Sequence, residues 1–189
     1  MDIKLNFIEQ GQGQPMILLH GNGENCDYFE HQISHFSKQY HVIALDTRGH
    51  GKSPRGEKSF TIKQFAEDLH DFMDEKGIEK AVILGFSDGG NIALTFALKY
   101  PEQVEKMIVD GANLFPSGVK PLYQWPIELG YRIAKIFSRK SEKAKQNSEM
   151  LGLMVNDPHI EPSELSHLTM PVLVVAGKRK LYHPASSRR

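Results

Sequence analysis

This chain of 189 residues has one cysteine, no net charge and no long apolar run. Cys26 is the single cysteine, which excludes an intrachain disulfide and predicts a reducing, cytoplasmic location. The 23 lysines and arginines balance 23 aspartates and glutamates, so no net charge attracts a nucleic acid. No apolar run approaches the roughly 20 residues of a membrane span, and the N-terminal residues are not typical of a signal peptide. We therefore expect neither a nucleic-acid partner nor a membrane span.

Short apolar runs recur along the chain, and each ends at glycine or aspartate. They are continuously apolar rather than alternating, which predicts strands of a parallel sheet that are buried on both faces. Between them, Thr61 and Gln64 predict a capping box for a helix ending near Gly77, and a second helix runs from residue 88 to 100 before Pro101. This alternation predicts a doubly wound, mostly parallel α/β sheet. The runs are PMILLHG (15–21), HVIALD (41–46), AVILGFS (81–87), KMIVDG (106–111) and PVLVVAG (171–177).

Residues 113–168 interrupt this rhythm with proline-bounded pieces, an apolar helical stripe and the charged patch SRKSEKAKQ. We interpret them as a helical cap inserted between a core of residues 1–112 and a last strand with an irregular tail at 169–189. The insertion is either a long crossover or a lid over a site. Its large apolar side chains either line a substrate pocket or pack the cap itself. The stripe comprises Trp125, Leu129, Ile133, Ile136 and Phe137, and the pocket candidates are Trp125, Phe137, Met150 and Met154.

The segment Gly85-Phe86-Ser87-Asp88-Gly89 fits the G-x-S-x-G pattern of a nucleophile elbow. In that turn a serine hydroxyl is lifted above the sheet, and its neighbours must be small because other backbone passes close by. The pattern alone is weak. Here an apolar strand precedes it and a helical pattern follows it, which is the strand–turn–helix context that the motif requires.

Two further loops follow predicted strands. His20-Gly21-Asn22-Gly23 comes directly after MILL, and a glycine turn there can aim a backbone N–H at a developing oxyanion. LDTRGHGKS (45–53) runs from a strand end into a glycine-rich loop.

These three motifs, in this order and spacing, resemble the α/β-hydrolase superfamily, in particular its esterase, lipase and peptidase-like members. The resemblance implies a Ser-His-acid hydrolase with a helical cap that acts on a small acyl substrate without a cofactor or metal. It implies Ser87 as nucleophile and the backbone N–H groups of Asn22 and Asp88 as oxyanion donors. His20 matches a structural histidine, and Asp46, Arg48 and His50 match structural positions of the second loop. A serine at the elbow argues against epoxide hydrolases and haloalkane dehalogenases, which attack with a carboxylate.

The catalytic acid and base depart from the family pattern. The acid usually follows the strand matched by PVLVVAG, where this chain has Lys180, which offers only donors and carries the wrong charge. Asp110, at another strand end that some members use, is the alternative acid. His183 in the tail is the candidate base, although it does not occupy the family's position. His31 and His35, four residues apart, are interpreted as a solvated helix face rather than a metal pair.

The departures predict a C-terminally truncated member that lacks the last strand and helix of the fold. Strand 172–176 then becomes an exposed apolar sheet edge, which favours self-association. Two hypotheses stay open. The chain is either a serine hydrolase of carboxylic esters or related acyl bonds, or an impaired, non-catalytic homologue.

Overall fold

The computed structural model describes residues 1–118 and 121–177. Lys180 and His183 lie outside these ranges. Six strands and five helices of seven or more residues make up the described chain, joined by short 3₁₀ turns. In chain order they are β1 (Phe7–Gln10), β2 (Pro15–Leu19), α1 (Glu30–Phe36), β3 (His41–Leu45), α2 (Ile62–Glu75), β4 (Ala81–Phe86), α3 (Asp88–Lys99), β5 (Val104–Asp110), α4 (Pro121–Phe137), α5 (Glu142–Asn156) and β6 (Val172–Val175).

The strands form one sheet in the order β1-β3-β2-β4-β5-β6. Only the β1–β3 pairing is antiparallel, so the sheet is mostly parallel, as the apolar runs predicted. All five predicted runs contain a strand. The sequence pattern missed β1, because its residues FIEQ are largely exposed and carry little apolar signal.

The helix signals were also correct in position. The Thr61 hydroxyl accepts a hydrogen bond from the Gln64 N–H at 3.2 Å and begins α2. The Gln64 side chain does not return the bond and instead donates to Asp68. Gly77, with a φ of +66°, follows the end of α2. The last residue of α3 is Lys99, which Tyr100 and Pro101 follow.

The chain divides into two compact units. The first contains residues 1–112 and 162–175, and the second contains residues 113–161, with α4 packed against α5. Residues 162–168 cluster with the first unit, although the sequence pattern groups them with the insertion. None of the helices in the described ranges is long and apolar enough to cross a bilayer.

Burial differs sharply between the strands. The side chains of β2 and β3 are almost all buried, as are most of β4, whereas β6 exposes between 38% and 71% of each of its four side chains. The prediction of burial on both faces is therefore wrong for β6 and holds only in part for β5, where Lys106 is exposed and Ile108 half-buried. The predicted exposure of the apolar edge at β6 is confirmed. The reason is its position, since β6 pairs with β5 and occupies the end of the sheet as far as the chain is described.

The structure contradicts, for two residues of the second unit, the interpretation that the large apolar side chains pack the cap. Trp125 and Phe137 do not pack the insertion, because both rings are exposed on α4. Met150 and Met154 on α5 are half-buried.

Candidate functional site

Ser87 lies in the tight turn between β4 and α3, where its backbone has φ +53° and ψ −118°. No other non-glycine residue of the described chain has a positive φ. A side chain in this region costs of order 1–3 kcal/mol and persists only where the surroundings enforce it. Here the Ser87 N–H donates to the Asp110 carbonyl oxygen at 2.7 Å, and the Ser87 carbonyl oxygen accepts from the Gly90 N–H at 2.9 Å. The turn is therefore held on both sides of the serine.

The glycines of the elbow are required by the closeness of neighbouring backbone. A Cβ at Gly89 would overlap the carbonyl oxygen of Leu19, and one at Gly85 would overlap the backbone of Gly89. These overlaps are with backbone atoms, which cannot rotate away as a flexible side chain can. The spacing of glycines in the G-x-S-x-G pattern thus corresponds to packing of α3 against the ends of β2 and β4.

The parallel register brings the predicted loops to the same edge of the sheet. Leu19 pairs with Gly85, so β2 and β4 end side by side, and Phe86 pairs with Asp110 at the end of β5. A Cβ built on Gly21 would lie 3.2 Å from the Ser87 Cβ, which places the His20–Gly23 loop against the serine. The structure therefore brings Ser87, Asp88, Asp110 and the loop carrying Asn22 together.

His20 is held by hydrogen bonds at both ring nitrogens, and the Thr47 hydroxyl also lies 3.3 Å from its Nε2. Its Nδ1 lies 2.7 Å from the Gly21 carbonyl oxygen, which can only accept, while its Nε2 accepts the Thr47 N–H at 3.0 Å. This pattern fixes a neutral ring, and burial lowers the pKa of His20 below its usual value. The ring links the two glycine-rich loops and has no nitrogen left for Ser87.

The second loop contains a buried ionic network. The Arg48 guanidinium, fully buried, donates to both carboxylate oxygens of Asp68 at 2.7 Å and to Asp2. Burial opposes its charge, but these carboxylates hold the pKa of Arg48 above its usual value. Asp46 accepts from the N–H groups of Cys26 and Lys52. Because Cys26 follows the first loop, this carboxylate ties the two loops together.

His50 completes the buried part of this loop. Its Nδ1 donates to the Arg48 carbonyl oxygen at 3.0 Å, and its Nε2 is buried without a hydrogen-bond partner among the described residues. Burial, and secondarily the nearby His20 ring, lower the pKa of His50 to about 4. These contacts fit a structural role for Asp46, Arg48 and His50.

The remaining histidines of the first unit lie elsewhere, and among them His167 ends the short 3₁₀ turn Glu164–His167. His41 pairs with Glu9, and His70 bonds Gln103 and lies 3.4 Å from Asp74. His31 and His35 both lie on α1, and the described residues contain no group of three or more side chains suited to hold a metal. Within the described first unit, no imidazole forms a hydrogen bond with Ser87 or Asp110.

Two side chains beside the elbow, Glu24 and Tyr28, were not predicted from the sequence. The Glu24 carboxylate accepts the Gly21 N–H at 3.0 Å, and the Tyr28 ring stacks on Phe86 with centroids 4.8 Å apart. Burial, then the charges of Glu24 and Asp110, raise the pKa of Tyr28. A local signal existed, because Asn25 is a favourable N-cap, and its side chain does begin the short turn that carries Tyr28.

A mostly parallel sheet whose central strand ends in a glycine-flanked serine turn defines the α/β hydrolase class. The family model described as the alpha/beta hydrolase fold matches residues 14–148, and the chain belongs to this family.

Curated relatives carry several hydrolase names. Epoxide hydrolase 4 of Mus musculus is 37% identical over 111 residues, which are 57% of this chain and 31% of that protein. Serine hydrolase BPHL of Homo sapiens is 29% identical over 199 residues, covering 94% of this chain and 67% of the relative. The chain thus spans about a third of the length of epoxide hydrolase 4.

Solved structures agree on the fold. The enol-lactonase from Burkholderia xenovorans superposes with a TM-score of 0.77 at 20% identity, covering 97% of this chain and 82% of that one. A meta-cleavage product hydrolase from Pseudomonas fluorescens gives a TM-score of 0.75 at 28% identity, covering 98% of this chain and 80% of that one.

Proposed function

We propose that this chain is a serine hydrolase in which Ser87 attacks the carbonyl carbon of carboxylic esters or related acyl bonds. The observation that carries the proposal is the positive φ of Ser87, an unfavourable conformation retained in a turn between strand and helix. In this reaction the Ser87 oxygen forms an acyl-enzyme, the alcohol leaves with a proton, and water then releases the acid.

The neighbouring backbone supports an oxyanion site. Asp88 is the first residue of a helix of 12 residues, whose N-terminus carries partial positive charge. Asn22 follows Gly21, which lies against Ser87. We assign the N–H groups of Asn22 and Asp88 as the donors that stabilise the oxyanion of the tetrahedral intermediate.

Asp110 and His183 complete the proposed triad. Asp110 is half-buried at the end of β5, beside the elbow, which supports its role as the acid. His183 is proposed as the base from the sequence alone, since it lies outside the described residues. A cytoplasmic location likewise remains a prediction from the single cysteine.

The relatives' names leave the bond type open between esters and epoxides. A relative is named a serine hydrolase and a structural neighbour an enol-lactonase, whereas other relatives are named epoxide hydrolases. We favour acyl substrates because residue 87 is a serine, which forms an ester intermediate, whereas the epoxide hydrolases that the fold resembles attack with a carboxylate.

A fluorophosphonate probe tests the nucleophile directly. We expect covalent labelling of the folded chain, located to the peptide that contains Ser87 by mass spectrometry, and none in the Ser87→Ala variant. Short-chain nitrophenyl esters should be hydrolysed and styrene oxide should not. Absence of labelling in folded protein, or epoxide turnover without ester turnover, would contradict the proposal.

The alternative is an impaired homologue, favoured by the absence of a histidine bonded to Ser87 in the described first unit. Loss of a triad partner typically costs about 10⁴-fold in kcat, while the oxyanion site retains a weak residual rate. If His183 is the base, His183→Gln lowers ester turnover by about that factor and spares folding. A weak wild-type rate that His183→Gln leaves unchanged supports the impaired homologue instead.

A further inference from the structure

One face of α4 exposes a continuous row of large apolar side chains, here called the outer stripe. Its members recur at intervals of three or four residues, which places them on one side of a helix. Between 47% and 78% of each side chain is exposed. The outer stripe consists of Leu122, Trp125, Leu129, Ile133 and Ile136.

The outer stripe is not the face that α4 uses to pack within its own unit. That contact is made by the opposite side of the helix, where Gln124 is buried and its amide donates to the Met154 carbonyl oxygen on α5 at 3.4 Å. Ile127 and Tyr131 lie on the same side as Gln124 and are half-buried. The helix therefore has one mixed side that is covered and an opposite apolar side that faces solvent.

Basic residues flank the outer stripe and continue beyond it. Residues 121–150 contain six lysines and arginines and three glutamates, although the whole chain is neutral. Arg132 lies at the border of the stripe by helical spacing, and Arg139, Lys140 and Lys143 follow the end of α4 with exposed side chains. This stretch combines an apolar helix face with an excess of positive charge.

We propose that the outer stripe binds the surface of a bilayer that contains anionic lipids, with α4 lying in the plane of the interface. An interfacial helix of this kind buries Trp and Leu at the level of the headgroups while lysines and arginines contact lipid phosphates. Trp125 near one end and Arg139 with Lys140 at the other match both requirements. The binding needs no membrane span and is independent of the reaction proposed for Ser87.

Trp125 is the only tryptophan of the chain, so its fluorescence reports on the outer stripe alone. In buffer the exposed ring should emit at long wavelength. Addition of vesicles made of phosphatidylcholine and phosphatidylserine should shift the emission to shorter wavelength, and co-sedimentation should measure the same partitioning. Vesicles of phosphatidylcholine alone should bind much more weakly, and high salt should reverse the binding to anionic vesicles.

Matched variants separate apolar and ionic contributions. Leu129→Gln should lower partitioning severalfold, whereas Leu173→Gln, which removes an exposed leucine from β6, should leave it unchanged. The double variant Arg139→Gln and Lys140→Gln should lower partitioning to anionic vesicles by about 30-fold, from the contribution of two basic residues at a charged surface. Unchanged Trp125 emission with both vesicle types overturns the proposal. So does an emission shift that depends on protein concentration without lipid, which assigns the stripe to a second copy of the chain.

Discussion

Strands β4 and β6 have similar apolar compositions and opposite surroundings. Ile83, near the middle of β4, has no exposed surface, while Val174 in β6 is 71% exposed. The β4 strand has β2 on one side and β5 on the other, with α3 packed against it, whereas β6 pairs with β5 alone in the described chain. An apolar run thus predicts a strand, but the number of neighbours in the sheet determines how much it contributes to stability.

The largest test of this difference is the same substitution in both strands. Ile83→Lys would bury an unpaired ammonium group and should lower the free energy of unfolding by about 4 kcal/mol or more. At concentrations where the chain is monomeric, Val174→Lys places its ammonium in water and should change that free energy by less than about 1 kcal/mol. Urea unfolding followed by circular dichroism measures both. Equal losses in the two variants would show that β6 is as buried as β4.

The Val174→Lys variant also tests whether the exposed edge of β6 associates with a second copy of the chain. We propose that β6 pairs with a second copy of the chain, because its apolar side chains are exposed and its outer edge is unpaired in the described residues. Sedimentation should then show an oligomer for the wild type and a smaller species for Val174→Lys. A monomeric wild type across the accessible concentrations would contradict this pairing.

Two helical glycines, one in the elbow and one in the insertion, have different surroundings. Gly89→Ala should cost about 3 kcal/mol, because the new methyl group overlaps the Leu19 carbonyl oxygen. Gly152→Ala in α5 should instead stabilise by up to about 1 kcal/mol, since the nearest atom, on the Tyr131 ring, stands at an ordinary contact distance of 3.4 Å. Thermal unfolding distinguishes them. A Gly89→Ala variant as stable as wild type would show that α3 can move away from β2.

The smallest effect concerns pH and the buried His50. Its pKa is about 4 in the folded chain and about 6.5 when unfolded, so the unfolded state binds the proton more tightly. The neutral, buried His50 ring therefore contributes fully to the free energy of unfolding above pH 6.5, and this contribution is lost as the pH falls toward 4. At pH 5 the loss is about 2 kcal/mol. Unfolding titrations between pH 7 and 5 measure the slope, to which His20 adds in the same direction. His50→Gln should flatten it, and an unchanged slope would rule out His50 as its source.

The elements that were predicted correctly carry their signals locally. The run AVILGF and the glycines around Ser87 are consecutive, and the Thr61 cap acts within one helical turn. By contrast, β1 forms because Phe7–Gln10 pairs with β3, more than 30 residues later. The four residues FIEQ have no periodic pattern from which that pairing could be predicted.

The same distinction applies to the candidate site. Ser87 was identifiable because the elbow is a local motif, whereas the stacking of Tyr28 on Phe86 depends on the ends of two distant segments meeting. The Glu24 contact with Gly21 is local, but a glutamate after a glycine turn has no distinctive spacing. Partners of a nucleophile are defined by tertiary geometry rather than by sequence distance.

Cys26 offers a way to time the opening of the core. Cys26 is 4% exposed, and burial raises the pKa of its thiol to about 12, so the folded chain should resist alkylation. Reaction with a thiol reagent then requires a fluctuation that exposes this position, and the rate of modification measures how often one occurs. Because the chain has no second cysteine, each modified molecule records an opening at the junction of the two glycine-rich loops. The rate of modification at this one sulfur atom would thereby report how long the core stays closed between openings.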